Sequence, residues 1–163
     1  MTEMVVEIPL NSSIKYELNE KNQLVCDRIL HTPVSYPGNY GYIPNTLAND
    51  GDPLDVLLIC NNVLLPCSRI KIKIIGYLDT EDEKGRDEKI IAVPSEKIDP
   101  TYSNINNITD LSEHSLLKIK YFFKHYKDLE KGKWIKVGEF MNKEKAKKLL
   151  EKYIKFSGIY NVN

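Results

Sequence analysis

The sequence predicts an α+β fold that is mainly β: a small strand barrel with two helices packed against it. Three observations predict it. Short apolar runs separated by turn residues fill the first two thirds of the chain. Within several of these runs, apolar and polar side chains alternate with period two, the signature of a half-buried strand. The last third changes to helical spacing, with apolar residues recurring on one face.

Taken in order, Ile14, Tyr16 and Leu18 alternate with Lys15 and Glu17. Lys15 and Glu17 therefore leave this strand on the same side. Leu24 to Leu30 is a second run, with Asp27 and Arg28 inside it. Leu54 to Cys60 is nearly all apolar after Asp55, as a strand buried on both faces would be. Ile70, Ile72 and Ile74 alternate with Lys71 and Lys73, and Ile90 to Val93 is a fifth candidate. Short strands at such spacing suit a small barrel or sandwich. Pro33 to Pro53, PVSYPGNYGYIPNTLANDGDP, reads as one long loop, and long loops inside compact domains are usually functional.

Leu116, Ile119, Phe123 and Tyr126 share one helical face. Asp110 with Glu113 predicts the start of this helix and Gly132 its stop. Ala146, Leu149, Leu150, Tyr153 and Ile154 mark a second helix, capped by Asn142 and ended by Gly158. Glu144 with Lys148 and Glu151 with Lys155 are surface pairs contributing a few tenths of a kcal/mol each. The sequence shows no repeat, low-complexity segment or linker, so residues 1–163 are read as one domain.

A chain of 163 residues buries about 70% of its unfolded surface on folding, enough for a core without metal or disulfide staples. Lys+Arg and Asp+Glu are 23 each, a net charge of +0. This disfavours non-specific nucleic-acid binding, which rests on excess cationic side chains. Cys26 and Cys60 lie in apolar runs and are expected to be buried free thiols; Cys60 and Cys67 are near enough in sequence to pair. The odd count and absent CxxC spacing suit a reducing cytosol. Met1 to Leu10 has no basic region before an apolar stretch, so no signal peptide is expected, and no run approaches the ~18 apolar residues of a membrane span.

The chemistry concentrates in Asn49-Asp50-Gly51-Asp52-Pro53-Leu54-Asp55, where Asp50, Asp52 and Asp55 crowd a loop-to-strand junction. Two unit charges 4 Å apart repel by about 4 kcal/mol near a protein surface, so the cluster is costly unless a cation sits within it. Hard carboxylate oxygens suit Mg²⁺, Mn²⁺ or Ca²⁺. An EF-hand is excluded: its sixth loop position requires Gly and its twelfth Glu, whereas this chain has Asp55 and Asn61 there. A solvated acidic turn is the plainer reading, but Asp55 opens an apolar strand and cannot simply face bulk water. A second acidic cluster, Thr80 to Lys89, reads as a charged hairpin tip able to supply further oxygen ligands. Lys15, Arg28, Lys89 and Lys127 are candidate phosphate binders. Arg28 is the least ordinary of them, set among apolar neighbours with a planar fork for phosphate oxygens. Tyr36, Tyr40, Tyr42 and Tyr126 could add hydroxyl donors, although core packing is the commoner role for tyrosine.

Together these residues resemble the family I soluble inorganic pyrophosphatases. The resemblance runs from about Val5 to Lys136 and is strongest at Asp50-Gly51-Asp52-Pro53-Leu54-Asp55-Val56, a D-x-D-P-x-D pattern followed by an apolar residue. Other matching blocks are Glu7-Ile8-Pro9, Ile14 to Glu17, Asp27-Arg28, Tyr36 to Tyr42, Asp82 to Lys89 and His125 to Leu129. The resemblance implies a five-stranded, OB-like closed β-barrel with flanking helices. It implies that Asp50, Asp55 and Asp87 hold the tightest metal and that Asp55 bridges to a second, with Asp52 beside the water between them. Asp82 and Glu17 would serve metals arriving with substrate. Lys15, Arg28, Tyr40, Lys89, Tyr126 and Lys127 would hold the two phosphates, with Glu7 and Tyr36 supporting them from behind. Ser35 stands where an apolar residue is common.

The activity so implied is Mg²⁺-dependent hydrolysis of pyrophosphate to two phosphates in the cytoplasm, drawing biosynthetic reactions forward, with Mn²⁺ a possible substitute. Asp52 would accept the proton of the attacking water. A homohexamer is implied, with His125 and Asp128 near a subunit contact. Two rivals remain open at this point. An OB-like nucleic-acid module could use Tyr36, Tyr40 and Tyr42 as stacking platforms, and a non-catalytic metal- or phosphate-binding protein could share the residues. The unrelated manganese-dependent pyrophosphatases are not supported, because His31, His114 and His125 lie far apart in sequence.

Overall fold

The computed structural model describes the backbone of residues 2–160 and the side chains of 2–154. Its strands are β1 (Glu3–Ile8), β2 (Ile14–Leu18), β3 (Leu24–Ile29), β4 (Asn39–Tyr42), β5 (Asp55–Leu58), β6 (Arg69–Asp82), β7 (Gly85–Arg86), β8 (Lys89–Pro94) and β9 (Ile135–Asn142). The helices are α1 (Glu113–His125) and α2 (Lys143–Tyr160). Strands β1, β4, β5, β8 and β6 hydrogen-bond in that order, and β6 returns to pair with β1, so five strands close into a ring. The β5–β8 pair is parallel and the other ring pairs are antiparallel. β6 outruns the ring, and its far end pairs with β9 and with the short β7. β2 and β3 form a separate hairpin.

Period two sorts the ring's side chains into two apolar layers. Val56, Leu58, Ile90 and Ala92 join Ala146 and Tyr153 of α2. Leu57, Ile91 and Val93 join Ile119, Phe122 and Phe123 of α1, with Tyr36, Tyr40 and Tyr126. At about 25 cal/mol per Å² of apolar surface removed from water, these layers supply the main stabilisation of the fold.

Several expectations need correction. The stretch from Pro33 to Pro53 is not one loop, because Asn39–Tyr42 is a ring strand. Its glycine is structural: a Cβ on Gly41 would lie 1.8 Å from the Val5 carbonyl oxygen, so only glycine lets β1 and β4 approach. Of the five predicted strands only β5, β6 and β8 belong to the ring, because β2 and β3 pair with each other; β1 and β4 complete the ring, and β7 and β9 pair with the far end of β6. Helix α1 is capped by Ser112, whose hydroxyl accepts from the Ser115 amide. Asp110 instead closes a capping box with Asn107 on a preceding 3-10 turn. The helix stops at His125, well before Gly132, which occupies a positive-φ turn. Asn142 does cap α2, accepting from the Lys145 amide at 3.0 Å, but the helix continues past Gly158 to Tyr160. Lys155, of the predicted surface pair with Glu151, has its side chain outside the described residues. All three cysteines are free. Cys60 is buried, but Cys26 is exposed because β3 pairs with β2 alone and leaves its outer face open. Among the described residues, no helix is long and apolar enough to cross a membrane.

Candidate active site

One cleft of about 330 Å³ gathers every candidate site residue except Tyr42. Its floor comes from the ring. β5 opens with Asp55 and β8 with Lys89, paired side by side in the parallel register, with Asp87 just before β8. Tyr40 enters from β4, and Glu7 from β1. Asp82 stands at the far end of β6, while Tyr126 and Lys127 follow α1. The facing wall is the β2–β3 hairpin, which presents Lys15, Glu17 and Arg28.

The loop carrying Asp50 and Asp52 is tied at its base. Ile43 N–H donates to the Leu54 carbonyl at 2.9 Å. The buried Thr46 hydroxyl donates to the Ile43 carbonyl at 2.6 Å and accepts from the Leu54 amide at 2.9 Å. Farther out, the Ala48 amide donates to the Asp52 carbonyl at 2.8 Å, and Gly51 turns the chain at φ +85. The Asp52 amide donates to Asp50 Oδ1 at 3.0 Å. Asp52 itself is exposed at the cleft mouth.

At the centre the Lys89 ammonium donates to Asp55 Oδ2 and Asp87 Oδ2, both at 2.7 Å. Lys89 is 2% exposed. Burial works against its charge, but Asp55, Tyr40 and Asp87 outweigh this and hold the ammonium well above its usual range. Burial raises Asp87, and repulsion from Asp55 adds to the effect despite Lys89. Burial also raises Asp50 to about 6, with Asp87, Asp55 and Asp52 adding repulsion. Across the cleft Lys127 Nζ donates to Asp82 Oδ2 at 3.0 Å. Burial alone would raise Asp82, but Lys127 and the Lys84 amide hold it below the usual carboxylate range. Glu7 Oε2 accepts from the Leu18 amide at 2.8 Å, and burial raises this carboxyl to about 7.

The tyrosines are layered beneath these charges. Tyr36 is 1% exposed and lies 4.5 Å from the Phe122 ring, centroid to centroid. Burial holds Tyr36 and Tyr40 well above the usual phenol range and raises Tyr126 to about 12, so their hydroxyls stay protonated donors. Of the three rings the nucleic-acid reading would use as platforms, Tyr36 and Tyr40 are buried and only Tyr42 is half-exposed, so no row of open rings is left for stacked bases.

Residues without an assigned role in the sequence reading also line the cleft, notably Asp27, Glu83, Lys84 and Lys133. Asp27 Oδ2 lies 2.9 Å from Arg28 Nη1 and 3.5 Å from Lys15 Nζ. Glu83 and Lys133 pair at 3.4 Å. Glu130, in the turn after α1, puts a nearly buried carboxylate 2.9 Å from Arg28 Nε. Asp27 beside Arg28 within one apolar run, and Glu83 and Lys84 within the second acidic cluster, were the available signals; Lys133 and Glu130 carried none.

Among the described residues, no three carboxylate, imidazole or thiol groups already close on one point as a bound ion would require. The Lys89 ammonium stands between Asp55 and Asp87 instead. The donor set fits a hard divalent cation all the same. It consists of carboxylate oxygens, its aspartates Asp50, Asp52, Asp55, Asp82 and Asp87 line the one cleft, and mutual repulsion among Asp50, Asp55 and Asp87 adds to the burial that raises Asp50 and Asp87.

The family model for inorganic pyrophosphatase matches residues 4–157. An inorganic pyrophosphatase of Helicobacter pylori (strain ATCC 700392 / 26695) is 52% identical over 153 residues, covering 93% of this chain and 88% of its own. One from Nanoarchaeum equitans (strain Kin4-M) is 55% identical over 146 residues, covering 90% and 91%. Among solved structures, the Helicobacter pylori inorganic pyrophosphatase superposes with a TM-score of 0.94 at 50% identity, covering 96% of this chain and 92% of that one. That of Thermus thermophilus gives 0.92 at 40% identity, covering 96% and 90%. Matched along nearly its whole length in sequence and in fold, the chain belongs to the inorganic pyrophosphatase family.

Proposed function

We infer that the chain hydrolyses inorganic pyrophosphate to two phosphates with divalent metal ions, magnesium being the ion we assign and manganese a substitute. One observation carries this reading: a single cleft brings together a carboxylate cluster for cations and a set of lysines, an arginine and protonated tyrosines for phosphate. Asp50, Asp55 and Asp87 would hold the tightest ion, and Asp55 would reach a second beside Asp52. Asp82 and Glu17 would serve ions that enter with substrate. Bound divalent ions lower the pKa of water and neutralise the phosphate under attack.

The chain's own residues supply the rest. Asp52 takes the proton of the attacking water, a role suited to a carboxylate at the mouth of the cleft. Arg28, Lys127, Tyr40 and Tyr126 stabilise charge on the leaving phosphate, and Lys15 and Lys89 orient the other. Phosphoryl transfer needs positioning and electrostatics more than covalent chemistry, so no cysteine or serine nucleophile is required. Glu7 and Tyr36 support this set from behind.

The test is phosphate release from pyrophosphate. Activity should require Mg²⁺, vanish in excess chelator and return on adding the ion. Full activity in chelator would overturn the reading. A cytoplasmic homohexamer belongs to the same proposal. The 2.7 Å His125–Asp128 pair stays intramolecular in the single chain, and light scattering checks the assembly.

A further inference from the structure

The segment Asp87-Glu88-Lys89 points in two directions. On extended backbone, successive side chains alternate. Asp87 and Lys89 face the cleft, so Glu88 points the other way, toward the layer that holds Ile90, Ala92 and α2. Glu88 is 6% exposed there, and a buried carboxyl group needs a partner. Tyr153, fully buried in α2, provides it: its hydroxyl donates to Glu88 Oε2 at 2.8 Å. Burial and this hydrogen bond raise the hydroxyl far above its usual range, so it remains a donor. The same residue touches the other acidic segment. The Leu47 amide donates to the Tyr153 carbonyl at 3.3 Å, next to the Ala48–Asp52 turn.

We propose that Tyr153 is a positioning residue, anchoring Glu88 so that Asp87 and Lys89 are presented to the cleft and thereby tying α2 to divalent-ion binding. This rests on the reading above that Asp87 helps hold the ion. Thr80 limits how far the segment can drift. Its carbonyl accepts from the Asp87 amide at 2.9 Å, and its hydroxyl donates to the Asp87 carbonyl. With the backbone held on that side, loss of the Glu88 anchor should tilt the two cleft residues rather than unfold them. Partners of metal ligands typically alter metal affinity by about 10- to 100-fold, and an anchor one step further back belongs at the lower end.

The experiment titrates Mn²⁺ alone into the substrate-free protein by calorimetry, for wild type, Tyr153→Phe and Glu88→Gln. Tyr153→Phe should weaken Mn²⁺ binding by about tenfold and raise the Mg²⁺ needed for half-maximal activity by a similar factor. Its kcat at saturating Mg²⁺ should stay within about twofold of wild type. Glu88→Gln keeps an oxygen to accept from the hydroxyl and should retain wild-type Mn²⁺ affinity. Wild-type Mn²⁺ affinity in Tyr153→Phe overturns the proposal, as does an equal loss in Glu88→Gln, which would assign the effect to charge. Should Tyr153→Phe fail to fold, Glu88→Ala takes its place with the same two outcomes. A wild-type protein that releases phosphate from pyrophosphate beside an unaffected Tyr153→Phe sinks this inference alone. A wild type that binds no Mn²⁺ sinks the functional reading with it.

Discussion

The two walls of the cleft rest on opposite physical terms. The ring wall sets Asp55, Asp87 and Lys89 above a closed apolar layer, with Lys89 almost wholly buried. The β2–β3 hairpin is a two-stranded sheet of its own, and β3 is exposed along nearly all its length. A two-stranded ribbon is marginal by itself. Charges in the ring wall act in a medium of low dielectric, where each interaction is strong and each unpaired group costly. Lys15 and Glu17 on the hairpin act nearer water and are weakened by salt, whereas Arg28 is held against the nearly buried Glu130. The ring wall is therefore suited to fixing the reacting geometry, and the hairpin to drawing in a polyanion.

The contrast between the walls is tested hardest at Asp55. Asp55→Asn should lower kcat by about 10³-fold, the range seen when one preorganised electrostatic group is lost, with far-ultraviolet circular dichroism unchanged. Near-normal turnover would show that the ring wall does not set the chemistry. Lys89→Met comes next. It leaves Asp55 and Asp87 facing each other without the ammonium that bridges them at 2.7 Å. Breaking a buried pair from one side costs about 3–5 kcal/mol, and the partial exposure of Asp55 puts the loss near the lower end. Urea unfolding in chelator measures it. Added Mg²⁺ should recover more stability in the variant than in wild type, since the ion then replaces the missing cation.

The hairpin should respond differently. Lys15 lies 2.9 Å from Glu17 and 3.5 Å from Asp27, all at least partly exposed. Lys15→Ala should change stability by less than about 1 kcal/mol, as exposed ion pairs contribute little. It should raise KM for pyrophosphate by about tenfold, with kcat less affected and the defect shrinking as salt is added. A kcat loss as large as that of Asp55→Asn would erase the distinction between the walls.

The same contrast explains what was legible in the sequence. The acidic junction was plain, because carboxylates packed at Asp50, Asp52 and Asp55 before an apolar run have few physical justifications. β5, β6 and β8 were legible from apolar runs, and α2 from its helical spacing and its Asn142 cap. β4 was not, since Gly38 and Gly41 read as loop punctuation although they serve close backbone approach. Cys26 was misread because an apolar run implies burial only where something covers it, and nothing in the sequence says that β3 pairs on one side alone. Glu130 against Arg28 and Tyr153 against Glu88 join residues too distant in the chain for any local pattern to connect them.

Glu7 sits where the two walls meet. It belongs to ring strand β1, yet its carboxyl accepts from Leu18 at the end of hairpin strand β2. Burial raises its pKa from 4.5 to about 7. The folded protein thus keeps a proton that the unfolded chain releases as pH rises through this window. By linkage, the contribution is fully present below 4.5 and is lost as pH rises through about 7, so metal-free stability falls across that interval. After allowance for the part of Glu7 that water reaches, the loss is about 1 kcal/mol. Glu7→Gln holds a neutral group at the joint throughout and should shrink the fall, leaving the share that the raised Asp50 and Asp87 contribute with the same sign. Urea unfolding in chelator at pH 5 and pH 8 (roughly the two ends of the titration) compares the two proteins, and an equal fall in both would remove Glu7 as the tie between ring and hairpin.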